Sequence, residues 1–514
     1  MMGLDMPAVS LSRPLVLLVC GALLAGCTLG PDFAPPDPPK AESFLPDTTS
    51  EFVATNIPGG EAQRLVQDLD IPGQWWGVFQ SAPLNALIEQ AMRANPDIRA
   101  AAAGLRMARE NARAQRATLF PVLQAGLGAS QNQTPASLSS ATASDSSIYG
   151  LFTAGLSITY ALDLWGANRR QIESLDALAE AQCFQLEGAY LSLAANVVAA
   201  AIQEASLRGQ IDATQRIIAA QRETLGVLQR QSGLGAIAGA EVAAQQAAVA
   251  QAEAILPPLQ KALALQRNLL ATLTGRLPNE SLGEKFSLAE LRLPHELPLS
   301  LPAKLVGQRP DVRAAEANLH SAGALVGVAV ANQFPQITLS AGINSQSLTA
   351  GTLFGPGLTG STVAASMLQT ILDGGALAAR KRAAQAGLEQ ADAQYRSIVL
   401  NAFRNVADVL RALEYDALAL KAAVDAERAA ATSLEIARRR LELGDIIYSA
   451  VLLSELTYQQ ALLNRVQAQA TRYTATAALF QALGGGWWNR DGTGTDKAGR
   501  PRCRPPGTGI SQGS

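Results

Sequence analysis

The chain has 514 residues, a formal net charge of −2 and 16% charged side chains, so it carries no electrostatic footprint for nucleic acid. Two histidines and four cysteines leave little from which to build a metal site or a disulfide framework. Aromatic residues, at 5%, are sparse for an enzyme pocket, and His295 and His320 have no cysteine or carboxylate at motif spacing. No convergent acid, base or nucleophile stands out, so no catalytic residue, cofactor or metal is expected.

In chain order, the first element is an export leader, residues 1–26. Arg13 supplies a positive start, and Leu15 to Leu24 an apolar stretch too short to span a bilayer permanently. The leader ends Leu24-Ala25-Gly26-Cys27, which looks like a bacterial lipobox. Cys27 is therefore expected to become residue one, carrying S-diacylglycerol and N-palmitoyl groups. Acyl chains supply roughly 0.8 kcal/mol per buried CH2, so a multiply acylated cysteine anchors firmly in membrane lipid. Thr28, where aspartate would favour retention, points by resemblance to enteric sorting signals to the outer membrane. Residues 27–83 hold Pro31, Pro35, Pro36, Pro38 and Pro39 and read as an extended tether.

Residues 84–275 form a first repeat. Pro83 to Thr118 has helical apolar spacing, which Phe120-Pro121 stops. The period then changes to two: strands are expected at about 121–131 and 148–164, with one apolar face and one small, polar face. A helix of about 64 residues follows from Arg169 to about Ser232, roughly 95 Å long. It turns at Gly235, and a return helix runs to Gly275. Pro257-Pro258 should kink or break that return helix. Residues 276–303 read as a linker.

The second repeat, 304–486, restates the first. Pro96 to Pro121 aligns without a gap on Pro310 to Pro335, with 11 of 26 pairs identical. Strands are expected at about 335–346 and 361–373, and a second long helix from Arg380 to about Leu443. Gly444 and Gly484 repeat Gly235 and Gly275. The Gly355 to Gly360 loop matches a dinucleotide-binding string, but it lies between strands and lacks the following helix. Residues 487–514 read as a disordered basic tail. No apolar run of 18 or more residues follows the leader, so no transmembrane helix is expected.

A duplicated unit implies pseudo-symmetry. Each strand has the length that crosses a bilayer at a tilt, yet four strands cannot close a barrel, and open sheet edges are not tolerated in lipid. Three copies would supply twelve strands and twelve long helical segments. A structural coiled-coil lipoprotein would account for the helices but not for the four alternating strands.

The ordered set of motifs resembles the outer membrane factors, the TolC- and OprM-like efflux channels, most closely their NodT-like lipoprotein branch. The residues that carry this are Cys27, Trp75-Trp76, Asn95-Pro96-Asp97, Arg309-Pro310-Asp311 and the two Phe-Pro breaks. Asp163-Leu164-Trp165-Gly166, Leu256-Pro257-Pro258, Asp373-Gly374-Gly375 and Ala482 to Trp487 complete the set. The resemblance implies a membrane β-barrel plus a long α-helical coiled-coil barrel, built from a homotrimer of internally duplicated protomers. It implies the outer membrane of a Gram-negative bacterium, with most of the chain in the periplasm. It also implies a periplasmic adaptor and an inner-membrane pump, with the RND type favoured and the MFS and ABC types left open, and passive export of drugs or other small toxic compounds. A type I protein-secretion channel shares the fold and is the alternative. By the same resemblance the turns Leu234-Gly235 and Leu443-Gly444 meet the adaptor, although both glycines also read simply as helix C-caps. The family's acidic ring position falls on Leu453, so Glu241, Asp445 and Glu455 are the nearby candidates for a periplasmic gate. Trp165 belongs either at the membrane interface or in packing at the junction of barrel and helix.

Overall fold

The computed structural model describes residues 28–490 apart from 38, 48–49, 135–146 and 281–282, together with 494–495 and 501–502. The leader, the lipidation candidate Cys27, the first hairpin loop and most of the basic tail lie outside the described residues. In chain order the elements are β1 (Glu51–Phe52), β2 (Gln63–Gln67), α1 (Ala82–Ala94), α2 (Pro96–Arg116), β3 (Val122–Thr134), β4 (Ser147–Leu162), α3 (Ala167–Gly233) and α4 (Gly239–Leu273). There follow β5 (Glu296–Leu299), α5 (Pro302–Gln308), α6 (Pro310–Ala331), β6 (Gln336–Ser347), β7 (Thr359–Leu368), α7 (Ala376–Glu442) and α8 (Tyr448–Ala482). α3 and α7 each have 67 residues, roughly 100 Å of helix. One stretch of α3 is long and apolar enough to cross a membrane, but it is mostly buried within the protomer.

The chain divides into two compact units. The first takes its residues from the stretch ending at Pro35, from Arg106–Ala181 and from Ala315–Tyr395. Its centre is an antiparallel sheet in the order β3-β4-β6-β7. The register sorts the side chains by row. Ala125, Leu156, Ile343 and Ser361 lie across from one another, and the next row is Gly126, Gly155, Asn344 and Gly360. Successive residues point to opposite faces, so one face is apolar and the other small and polar. Leu127 on β3 and Val363 on β7 are 84% and 87% exposed.

Below the sheet, aspartates start both long helices. Asp163 accepts hydrogen bonds from the backbone N–H of Asn168 and Arg169, each at 3.0 Å. Asp373 accepts from Gly375 at 2.8 Å and Leu377 at 2.7 Å, which holds its carboxyl below the usual carboxylate range. The return strand therefore ends at Leu368 and not near 373, because Asp373 caps a helix. Trp165 resolves to junction packing: its indole N–H donates to the Pro335 carbonyl at 2.8 Å and its ring lies on Phe334.

The start of the described chain is packed, contrary to the expected tether. Leu29 N–H donates to the Trp165 carbonyl at 3.3 Å. The buried Arg170 donates to the Leu29 carbonyl at 3.1 Å and to Asp32 at 2.6 Å. Phe33 stacks on His320 at 4.3 Å. Proline content signals an extended backbone; it does not say what the extended carbonyls will meet.

The second unit comprises Pro36–Leu105, Gln182–Ala314 and the chain from Arg396 onward. β1 pairs with β2 antiparallel, and β2 with β5 in parallel, so the expected linker 276–303 contributes a strand. Buried Trp75 stacks on Phe480 at 5.6 Å. The fully buried Arg472 donates to the carbonyls of Glu61 at 2.5 Å and Val53 at 3.3 Å. The expected tail also begins later than 487. The Trp487 indole donates to the Gln308 carbonyl at 2.7 Å, and Arg490 pairs with buried Glu187 and stands over Tyr190 at 4.7 Å. Cys183 on α3 is buried and disulfide-bonded. α4 is continuous through Pro257 and Pro258. Both prolines are exposed, so the rings meet no packed neighbour that would force a break.

The duplicated motifs do the same job twice. Asn95 donates its side-chain amide to the Leu273 carbonyl at 3.0 Å, and Arg309 its guanidinium to the Ala482 carbonyl at 2.9 Å. Each bond ties the helix break before a Pro-Asp pair to the end of a return helix. Gly275 and Gly484 sit at φ +74° and +96°, and a Cβ there would fall 2.7 Å from the Ala94 carbonyl oxygen and 2.5 Å from that of Gln308. Only glycine permits that approach.

Candidate functional site at the helical turns

Each long helix ends in the same cap. At the first turn Gly235 N–H donates to the Ser232 carbonyl at 2.9 Å and Ala236 N–H to Gln231 at 2.9 Å. At the second, Gly444 donates to Leu441 at 3.0 Å and Asp445 to Arg440 at 2.9 Å. These are Schellman pairs closed by a left-handed residue, and φ of +75° and +74° requires glycine at both. Nothing lies within 4 Å of a Cβ built at either glycine, so the turns are open to solvent. Leu234, Leu443 and Ile447 are exposed apolar side chains there.

Behind the turns, α4 and α8 are tied together. Tyr448 donates its hydroxyl to Gln245 Oε1 at 2.6 Å, across 203 residues of sequence. Gln245 is wholly buried and its Nε2 donates to the Gln221 carbonyl on α3 at 2.9 Å. Burial, followed by the charges of Glu455 and Glu241, pushes the Tyr448 hydroxyl well above the ordinary tyrosine range. It therefore remains a donor. Leu434, Ala437 and Val451 form a small apolar cluster beside it.

The three acidic gate candidates lie in different settings. Glu455 is buried and accepts from Arg438 at 2.8 Å. Asp445 is exposed and accepts from Arg440 at 3.0 Å. Glu241 stands in the first turn of α4, where a carboxylate favours the helix dipole. The structure thus pairs Glu455 and Asp445 with separate arginines, while the charges of Glu455 and Glu241 both bear on the Tyr448 hydroxyl.

A cavity of about 400 Å3 opens between α3, α7 and α8, lined among others by Gln221, Arg438, Glu455, Tyr458 and Arg465. Sequence reading missed Tyr448 and Gln245. Only Gln245, on an alanine-rich stretch close to its turn, offered a local signal; Tyr448 sits among ordinary apolar residues. Among the described residues no three His, Cys, Asp or Glu side chains are grouped to hold a metal ion.

The sequence matches the family model described as outer membrane efflux protein over residues 87–276 and 301–485. The pyoverdine export outer membrane protein OpmQ of Pseudomonas putida is 30% identical over 436 residues, 81% of this chain and 89% of that protein. The probable efflux pump outer membrane protein TtgC of Pseudomonas putida is 28% identical over 496 residues, covering 94% of this chain and 98% of that one. Among solved structures, the outer-membrane channel OprN matches with a TM-score of 0.81 at 28% identity, over 90% of this chain and 100% of that one. The matched segments are the two halves of the duplication, each with its strand pair, its long helix and its glycine turn, and the chain belongs to the outer membrane efflux protein family.

Proposed function

We propose that three copies of this chain close a twelve-stranded barrel in the outer membrane and continue as a helical tunnel, forming the passive exit duct of a tripartite efflux system. The observation that carries this is the sheet's two free edges. β3 pairs only with β4, and β7 only with β6, among the described strands. In lipid each unpaired backbone group costs several kcal/mol. Pairing β7 of one copy with β3 of the next removes both edges at once. The face bearing Leu127, Leu156, Leu339 and Val363 then meets lipid, and Gly126, Gly155 and Asn344 line the water-filled side.

The same reading assigns the remaining parts. Cys27 bears the acyl anchor two residues before Leu29, whose N–H is bonded at the foot of the sheet. Leu234-Gly235 and Leu443-Gly444, with their exposed leucines, dock a periplasmic adaptor. Glu241, Asp445 and Glu455 belong to the periplasmic gate, with the Tyr448–Gln245 bond holding it closed. An inner-membrane pump of the RND type supplies the cargo, drugs or other small toxic compounds. The names of OpmQ and TtgC, pyoverdine export and efflux pump, favour small-molecule export over protein secretion.

The test is a cysteine pair across the seam, Leu127→Cys with Val363→Cys, and the register variants Ser361→Cys and Ala365→Cys. Oxidation in membranes should yield covalent trimers on non-reducing gels. Monomers at every register would refute the closed ring.

A further inference from the structure

We propose that each seam of the ring holds an anionic phospholipid of the surrounding membrane, bound by Arg380, Lys381 and Arg382; this rests on the closed-barrel reading. The three cations follow the edge strand β7. α7 begins at Ala376, so they lie roughly 6–9 Å along the helix from its start. The headgroup zone beyond the hydrocarbon is about 5–8 Å deep on each side, and these side chains reach several ångströms further. Arg380 and Arg382 are exposed and Lys381 half-buried.

None of the three makes a hydrogen bond or ion pair with another described residue. Their helical neighbours are Ala376, Ala378, Ala379, Ala383 and Ala384, which offer no charge. The nearest carboxylate upstream, Asp373, is occupied with the backbone of Gly375 and Leu377. Downstream, Glu389 stands two turns on. Between strand and cations lie Ile371 and Leu372, 89% and 90% exposed. The order along the chain is therefore apolar strand, apolar step, cationic run, which matches acyl chain, glycerol region and phosphate.

The other edge supplies a second run. α2 leads into β3 and carries Arg106, Arg109 and Arg113 at helical spacing. Only Arg113 has an acidic partner, Glu110 at 2.5 Å. Both runs sit at the same end of the sheet, since Val122 starts β3 and Leu368 ends β7. When β7 of one copy meets β3 of the next, Arg113, within about one turn of the end of α2, comes to the same seam as Arg380, Lys381 and Arg382, while Arg109 and Arg106 stand roughly 10 and 15 Å back along α2. A phosphodiester from the adjoining leaflet relieves the repulsion among the cations at the seam, and juxtamembrane cations bind anionic headgroups in this way.

The test uses full-length trimer in mild detergent, titrated with phosphatidylglycerol or phosphatidylcholine and read by native mass spectrometry, which reports trimer and bound lipid together. Wild type should hold phosphatidylglycerol in preference to phosphatidylcholine. Arg380→Ala/Lys381→Ala/Arg382→Ala should weaken it about a hundredfold, about fivefold per cation, and Arg380→Lys/Arg382→Lys should retain it. Equal binding of both lipids by wild type, or undiminished binding by the triple variant, overturns the proposal. Should the triple variant not assemble, the wild type decides: bound phosphatidylglycerol must fall as salt rises, and retention at high salt refutes the site. A monomeric wild type would instead refute the closed ring.

Discussion

Tyr448→Phe isolates the bond that ties the two return helices. The ring is kept, so no cavity forms, and the change removes one hydroxyl. The donor bond of 2.6 Å is lost, and Gln245 Oε1 remains in a site with no solvent exposure. The Gln245 Nε2 bond to Gln221, 2.9 Å, holds the amide in place and prevents it from turning outward. A buried acceptor left without a partner costs about 1–3 kcal/mol, so the open population of the proposed mouth should rise about 5- to 150-fold. The assay is single-channel conductance in planar bilayers, paired with uptake of a bulky antibiotic that the intact outer membrane excludes. Replacing both partners, Tyr448→Phe with Gln245→Leu, removes the orphaned acceptor as well and should leak less than the single variant. The raised hydroxyl pKa gives a pH signature: the bond contributes fully below the ordinary tyrosine value, near 10, and is lost only as pH rises through the higher folded value. Wild-type conductance and uptake from a correctly assembled Tyr448→Phe channel would refute the latch.

Two further changes probe the frame. Arg490→Ala leaves Glu187, 1% exposed in its side chain, without its cation, and should cost about 3–5 kcal/mol in denaturant unfolding; a loss below about 0.5 kcal/mol would mean the end of the chain is not held. Leu156→Arg and Leu339→Arg each place a charge on the face assigned to lipid and should cost about 2–4 kcal/mol near mid-membrane. The readout is the yield of membrane-assembled trimer, and normal yield from both would mean that the sheet faces are reversed.

What could be read from the sequence was whatever is periodic or repeated. The strand pairs, both long helices and both turn glycines follow from local spacing, and the observed elements begin and end within a few residues of those expected, apart from β7. That strand shows why: Asp373 looks like the end of a strand until its side chain is seen to cap α7, as Asp163 caps α3. The larger misses are contacts between distant residues. Arg170 holds the start of the chain across 138 residues, at Asp32, and Gln63 in β2 donates to the Pro294 carbonyl across 231 residues. The proline-rich stretch after Leu29 and the residues from Trp487 to Arg490 adjoin or share the composition of free segments. Their fixation depends on a few partners that no local pattern announces. Tyr448 and Gln245 escaped for the same reason, since each alone is an ordinary residue on a helix.

The duplication is kept where it builds the frame and abandoned at the turns. Asn95 and Arg309 occupy equivalent positions and hold equivalent carbonyls despite different chemistry. Gly275 and Gly484 make the same close approach, and Gly235 and Gly444 the same cap. Applying the offset that relates Gly235 to Gly444, Tyr448 corresponds to Gly239 and Gln245 to Ser454. The reciprocal bond therefore cannot form, and each protomer ties its return helices with one such bond and not two. The gate candidates follow the same rule, for Glu241, Asp445 and Glu455 correspond to Ala450, Ala236 and Gln246, none of which carries a charge. A symmetric pair of bonds would have to break together, raising the barrier to opening. In the proposed duct a single bond would let one hairpin swing while its pseudo-symmetric twin keeps the wall, so the loss of symmetry at the turns fits a hinged mouth on the proposed tube.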